Sequence, residues 1–359
     1  MATTPRNQHL VIDGSHGEGG GQILRTTVAL AALLGQPVRI ENIRAKRRNP
    51  GLQAQHLTSL QAAADQCDAE LDGAELGSTT LSFRPTRPAA AGDYAYDVAA
   101  ARKGGSAGAT SLVFQTALLP LTFAAGASRI AIEGGTHVAW SPPYHYLKDV
   151  FLPAVARLGV DASVSLERWG WYPHGRGLLR GEVRGLGEDA SLEGIDLNDR
   201  GDLVQLTGFS AVSNLPAHIR ERQAEQAESL LQRAGFKSVI QRLSPKASGP
   251  GTGVYLLAEY EHVTAAFMSY GRRGKRAEKV AQEAVDAFLA HHETGAVVDP
   301  HLADQLILPM AVARTSSSFT TSEITDHLLT NIWVVEQFTD TRFDLEGEIG
   351  QMGKITVHV

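Results

Sequence analysis

The chain has one cysteine, Cys67, in 359 residues. No disulfide can close within it, and this fits a reducing compartment. Long apolar runs are missing too. None approaches the ~20 residues that span a bilayer, and Met1 to Asn7 has no apolar signal core. A cytoplasmic location without a membrane partner is the expectation. Excess positive charge is also absent: 33 Lys and Arg against 39 Asp and Glu leave a net charge of -6. That argues against a protein that coats nucleic acid non-specifically, and leaves room for a local basic groove. No Cys/His cluster has zinc spacing, and no Gly-x-Ser-x-Gly nucleophile elbow occurs. His291-His292 reads as a polar helix end.

What is present is ordinary for a folded protein: 43% apolar and 20% charged residues. The length favours two domains. The order of elements suggests a weak internal repeat. Unit one runs from a strand at Leu10-Val11-Ile12 through a glycine-rich turn, Gly14 to Gly21, into a helix, Gln22 to Leu34. A strand at Val38, a basic loop ending in Pro50-Gly51, a helix near Gln53 to Cys67 and two further strands follow. Unit two repeats this order after Gly104 to Gly108, with helices at Ser111 to Ala124 and Tyr146 to Leu158. Unit three starts near Lys275, with the N-cap and proline pair Asp299-Pro300, a helix to Ala313 and a strand from Ser318. Between units two and three, residues 186–274 carry a charged helix, Ala217 to Ala234, flanked by strand-like runs. The predicted fold is therefore α+β. Three two-helix, four-strand units (1–185 and 275–359) form a large domain, interrupted by a small inserted α/β domain (186–274).

The chemistry concentrates at Asp326-His327-Leu328-Leu329-Thr330-Asn331, where a β-prone run ends and a helix begins. Thr325 or Asp326 serves as N-cap. His327 then lies in the first turn, where the helix's positive end favours neutral imidazole, a nucleophile, and the free amides suit a phosphate. A hydrogen-bonded histidine without chemistry is the competing reading. The Gly14–Gly21 turn is neither a P-loop nor a dinucleotide fingerprint, because no Lys-Ser/Thr follows and the last small residue is missing. It does place Glu18, a possible metal ligand, near Arg25, which can fork a phosphate. The loop Arg44-Ala45-Lys46-Arg47-Arg48 is the densest basic run, followed by Gln55-His56. It has no interleaved aromatics to signal base stacking. A second basic run, Arg272-Arg273-Gly274-Lys275-Arg276, lies at the exit of the insert. Asp304 and Gln305 fall in the first turns of the His301 helix. Gln115 sits on a very apolar helix and needs a partner if buried.

Together these segments resemble the RNA 3'-terminal phosphate cyclases over essentially the whole chain. The residues that carry the resemblance are Asp13-Gly14 with Gly17 to Arg25, Ile43 to Ala45 with Pro50 to His56, and Gly105 to Gly108 with Gln115-Thr116. Glu133 to Thr136, Leu302 to Leu306 and His327 to Asn331 complete the set. The resemblance implies three repeats like the C-terminal domain of translation initiation factor three, with a thioredoxin-like insert. It implies that His327 attacks the α-phosphate of ATP with the help of Mg²⁺ or Mn²⁺ and passes AMP to an RNA 3'-phosphate. The 2'-hydroxyl then closes a 2',3'-cyclic phosphate. By the same resemblance Gln115, His301, Leu302, Ala303, Asp304 and Gln305 contact ATP. Glu18 helps to hold the metal, and Arg25, Arg47 and Gln55 bind the RNA terminal phosphate. A homodimer is left open.

The chain departs from the family pattern in three places. Trp169 stands for a basic residue and Arg176 for a glycine in Trp169-Gly170-Trp171-Tyr172-Pro173-His174-Gly175-Arg176-Gly177. His301 stands where tyrosine is common, and Gly135 to Trp140 is less polar than usual. Three other readings compete with this one. A non-catalytic relative would lack His327. An enolpyruvyl synthase would have six units and no covalent nucleotide. A plain RNA-binding module is disfavoured by the net charge.

Overall fold

The computed structural model describes residues 9–101, 106–187 and 190–359. Gly104 and Gly105 of the unit-two glycine segment, and the N-terminal stretch, lie outside the described residues. The fold is mixed α+β, built on four four-stranded sheets that each combine parallel and antiparallel pairs.

The first sheet joins β1 (Leu10–Asp13), β2 (Val38–Glu41), β3 (Glu70–Asp72) and β4 (Leu81–Arg84) in the order β1-β2-β4-β3. Only β1 and β2 are parallel. The second joins β5 (Asp93–Asp97), β6 (Ala125–Gly134), β7 (Asp161–Arg168) and β8 (Gly177–Leu186) in the order β5-β6-β8-β7, again with one parallel pair. β9 (Asp196–Leu197) follows. The chain then forms a separate sheet from β10 (Leu203–Ser213), β11 (Val239–Leu243), β12 (Gly251–Tyr260) and β13 (Thr264–Tyr270), ordered β11-β10-β12-β13. The last sheet takes β14 (Ser317–Thr321), β15 (Arg342–Glu346) and β16 (Gly353–His358) and pairs β14 in parallel with the earlier β9.

Each parallel pair needs a crossover, and a helix supplies it. α1 (Gly21–Leu34) links β1 to β2, and α2 (Ala54–Cys67) precedes β3. α3 (Thr110–Thr122) links β5 to β6, and a helix over 144–156 (α4), with a π-helical turn at Leu147–Phe151, precedes β7. α3 is apolar nearly all round because it is wedged between α1, α2 and the second sheet. α5 (His218–Arg233) and α6 (Ala277–Thr294) cover the separate sheet. Their shared core contains Leu231, Ile240, Val254, Leu256 and Phe288. A domain boundary at 274 therefore cuts this sheet from α6, whose apolar face (Val280, Ala284, Val285, Phe288) is buried on it. α7 (Pro300–Ala311) and α8 (Asp326–Phe338) complete the chain. His291 is not part of a polar helix end: it is buried in the last turn of α6, with Nδ1 3.0 Å from Ser322 Oγ.

The contact that matters for function is α8 against α1. It sets the start of the last helix beside the glycine turn that opens the first. Gly17 has φ +51°, and a Cβ there would lie 2.5 Å from Thr330 Oγ1, so the left-handed turn and the close approach both demand glycine. Gly21 is equally constrained, because a Cβ would overlap His56 Nε2 at 2.1 Å.

Candidate active site

His327 sits in the first turn of α8. Thr325 caps that helix by accepting a hydrogen bond from Leu328 N at 3.1 Å. The His327 carbonyl accepts from Gln22 Nε2 at 2.8 Å, tying the turn to α1. A second tie runs through Asn331: its Oδ1 accepts from Thr26 Oγ1 at 2.9 Å, and its Nδ2 donates to the Asp304 carbonyl at 2.9 Å. Three helices thus fix one imidazole.

The ring lies between two carboxylates. Its Nε2 is 2.5 Å from Glu18 Oε2, and its Nδ1 is 3.6 Å from Asp304 Oδ2. Among the described residues the buried Glu18 Oε2 has no hydrogen-bonding partner. Glu18 Oε1 is held by Arg47 instead. Burial pushes the His327 imidazole down to about 4, with Arg25, His301 and Arg47 adding to the effect. The ring is therefore neutral at pH 7 and 48% exposed, a nucleophile with access to the cavity.

Arg25 and Asp304 form the floor. Both keep a little surface, yet the protein packed round them removes most of their water. Burial raises the Asp304 carboxyl to about 8, opposed by Arg25. Burial lowers the Arg25 guanidinium to about 10, opposed by Asp304. Arg25 stays charged at neutral pH. Gln115 Nε2 donates to Gln305 Oε1 at 2.5 Å, and Gln305 Nε2 donates to the His301 carbonyl at 2.6 Å. Gln55 Oε1 accepts from Ala109 N at 3.3 Å. Gln22, Arg25, Gln55, Gln115, His301, Asp304, Gln305, His327 and Asn331 line one cavity of about 1920 Å³.

The expected site residues divide into three groups. His327, Glu18, Arg47, Arg25 and Asp304 come together, but the pairing differs from the sequence reading: Glu18 meets Arg47, and Arg25 faces Asp304. Gln115, His301, Gln305 and Gln55 line the same cavity as His327, Arg25 and Asp304, whereas Glu18 and Arg47 lie outside its lining. The side chains of Leu302 and Ala303 are fully buried in the core and do not line the cavity, so a contact from these two residues to a ligand would come from their backbone. Two residues that hold the site, Gln22 and Asn331, were quoted in motifs but given no role. Buried polar side chains on apolar helix faces were the available signal.

A model of the RNA 3'-terminal phosphate cyclase family matches residues 16–345. The curated "RNA 3'-terminal phosphate cyclase" of Methylococcus capsulatus is 52% identical over 97% of this chain and 96% of its own length. The protein of the same name from Gloeothece citriformis is 49% identical over 94% and 96%. That from Pyrococcus furiosus is 39% identical over 97% and 98%. Among solved structures, the enolpyruvyl transferase NikO from Streptomyces tendae covers 50% of this chain and 33% of its own at 17% identity, with a TM-score of 0.28. That likeness is too weak to carry an argument. With a family match over nearly its whole length and half-identical relatives, the chain belongs to the RNA 3'-terminal phosphate cyclase family of enzymes.

Proposed function

We propose that the protein converts an RNA 3'-terminal phosphate into a 2',3'-cyclic phosphodiester, using ATP and a covalent His327–AMP intermediate. The observation that carries this reading is the neutral, half-exposed imidazole fixed at a helix start, with a guanidinium and two carboxylates around it. In the first step His327 Nε2 attacks the α-phosphorus. A P–N bond forms, the P–O bond breaks and pyrophosphate leaves with the electron pair. The Nδ1 proton stays on the ring, which carries the resulting positive charge until the imidazole leaves in the next step. In the second step an oxygen of the RNA 3'-phosphate attacks the same phosphorus and the imidazole leaves neutral. In the third the 2'-hydroxyl oxygen attacks the 3'-phosphorus, AMP departs, and the hydroxyl proton goes to water.

On this reading Gln115, His301, Asp304 and Gln305 contact ATP, with Leu302 and Ala303 offering backbone only. Arg25, Arg47 and Gln55 hold the RNA phosphate. Among the described residues no group of three or more His, Cys, Asp or Glu side chains could hold a metal by itself. Glu18 Oε2, buried without a hydrogen-bonding partner, fits one oxygen ligand of Mg²⁺ or Mn²⁺. Phosphate oxygens and water would supply the others. Such an ion neutralises the triphosphate charge.

The sheets support a reading of three repeats, since β1–β4, β5–β8 and β9 with β14–β16 share one strand order and one parallel pair each. The β10–β13 sheet with α5 and α6 is then the insert. No described helix is long and apolar enough to cross a membrane. A cytoplasmic location is part of the proposal, and no oligomeric state is. The test is product analysis. An oligonucleotide with a 3'-phosphate should become phosphatase-resistant only with ATP, releasing one AMP per end. Resistance without ATP, or ADP as product, would contradict the reading.

A further inference from the structure

The cavity holds more than the proposed reaction needs. At about 1920 Å³ it exceeds the roughly 300–1,000 Å³ that encloses a small ligand, so a bound nucleotide leaves space. Residues without a part in the proposed chemistry line that space. Trp140 is 98% exposed and Tyr172 is 73% exposed, yet both border the same cavity as His327. Open aromatic rings on a cavity wall offer flat faces on which bases can stack. Trp140 also has φ +60°, an uncommon backbone state for a bulky residue.

The second basic run borders the cavity as well. Its charges are not equivalent. Lys275 is bound to Glu283, and Arg276 lies 3.7 Å from Glu278, which Arg222 of α5 also grips at 2.8 and 2.9 Å. Arg272 and Arg273 are exposed and have no ion-pair partner among the described residues. Exposed aromatics and unpaired guanidiniums on the wall of one cavity that also holds a nucleophile are what an unpaired nucleic-acid strand requires: a flat surface for each base and a cation for each phosphate.

We propose that Trp140 and Tyr172 stack the unpaired nucleotides just 5' of the reacting RNA end, while Arg272 and Arg273 hold their phosphates. This rests on the function proposed above and adds the ligand class of a region outside the chemistry. It assigns a role to the aromatic residue ending the Gly135–Trp140 departure, and it gives the insert a part in binding substrate.

The test compares a 3'-phosphorylated single strand of about ten nucleotides, within the range of single-strand sites, with a dinucleotide 3'-phosphate, using the full-length protein. The longer substrate should have the lower cyclisation KM. Trp140→Ala and Tyr172→Ala should each shrink that advantage by roughly 5- to 150-fold, the span of one base–aromatic stack. Trp140→Phe should keep most of it. Arg272→Ala combined with Arg273→Ala should flatten the salt dependence of KM. Equal KM values for the two lengths in the unaltered protein, or an equal rise for both in Trp140→Ala, would overturn the proposal. Quenching of tryptophan fluorescence by the longer strand, lost in Trp140→Phe, separates this claim from the chemistry. Quenching without any cyclisation supports the binding track and sinks the reaction. Cyclisation without length dependence does the reverse.

Discussion

Two histidines border the same cavity and both have depressed basicity, yet their surroundings differ. Burial pushes His327 down to about 4 and holds His137 well below its ordinary value. His327 is half-exposed, faces carboxylates and stands at a helix start. His137 is 1% exposed. It is stacked on Trp169 at 3.9 Å and bonded to Thr136 Oγ1 and His145 Nδ1, each at 2.9 Å. Phe209 and Tyr255 of the β10–β13 sheet pack on His145. One imidazole is free to react. The other belongs to a packed aromatic joint between the second sheet and the β10–β13 sheet. A depressed pKa is thus common to both, and access to the cavity with flanking charge is what separates them.

The sharpest way to break this contrast is to damage the joint alone. Trp171 is buried, and its Nε1 donates to Ser213 Oγ at 2.9 Å. Trp171→Ala should cost about 3–5 kcal/mol of stability, read by denaturant unfolding. Adenylylation per folded molecule should be unchanged. A loss of adenylylation in folded protein would place the joint in the chemistry.

A smaller effect comes from pH. Burial depresses His56, His137, His145, His291 and His327 in the folded state. The unfolded chain takes up protons at these positions near 6.5, while the folded chain resists until about 4 for His145, His291 and His327. Their stabilising contribution is therefore complete above 6.5 and is lost as pH falls toward 4. Asp304, raised to about 8, works in the opposite direction but is one group. Tm should fall on the order of several °C between pH 7 and 4.5. His327→Ala should flatten part of that slope, as should removal of His137. A Tm that rises on acidification would refute the assignment.

Local chemistry was legible in the sequence. Asp299 caps α7 by accepting from His301 N and Leu302 N, and Thr325 caps α8, because caps and prolines act within one turn. The glycine turn was legible for the same reason. Pairings across the fold were not. Glu18 and Arg47 are 29 residues apart in sequence, and nothing local makes Arg47 a better partner for Glu18 than Arg25. β9 was missed because two residues carry no period. The boundary at 274 leaves α6 outside the insert, because an amphipathic helix shows that it has an apolar face, and not what covers it. The Trp169 departure was visible as a substitution, but its meaning needed the stack on His137.

The central claim is that His327 becomes covalently attached to AMP. The most direct measurement supplies Mg²⁺ or Mn²⁺ and ATP labelled at either the α- or the γ-phosphate, with His327→Ala alongside. The account predicts acid-labile, protein-bound label from α-labelled ATP only, absent in His327→Ala that remains folded. Folded protein that binds ATP yet takes up no label with either metal would contradict it, as would equal label in His327→Ala.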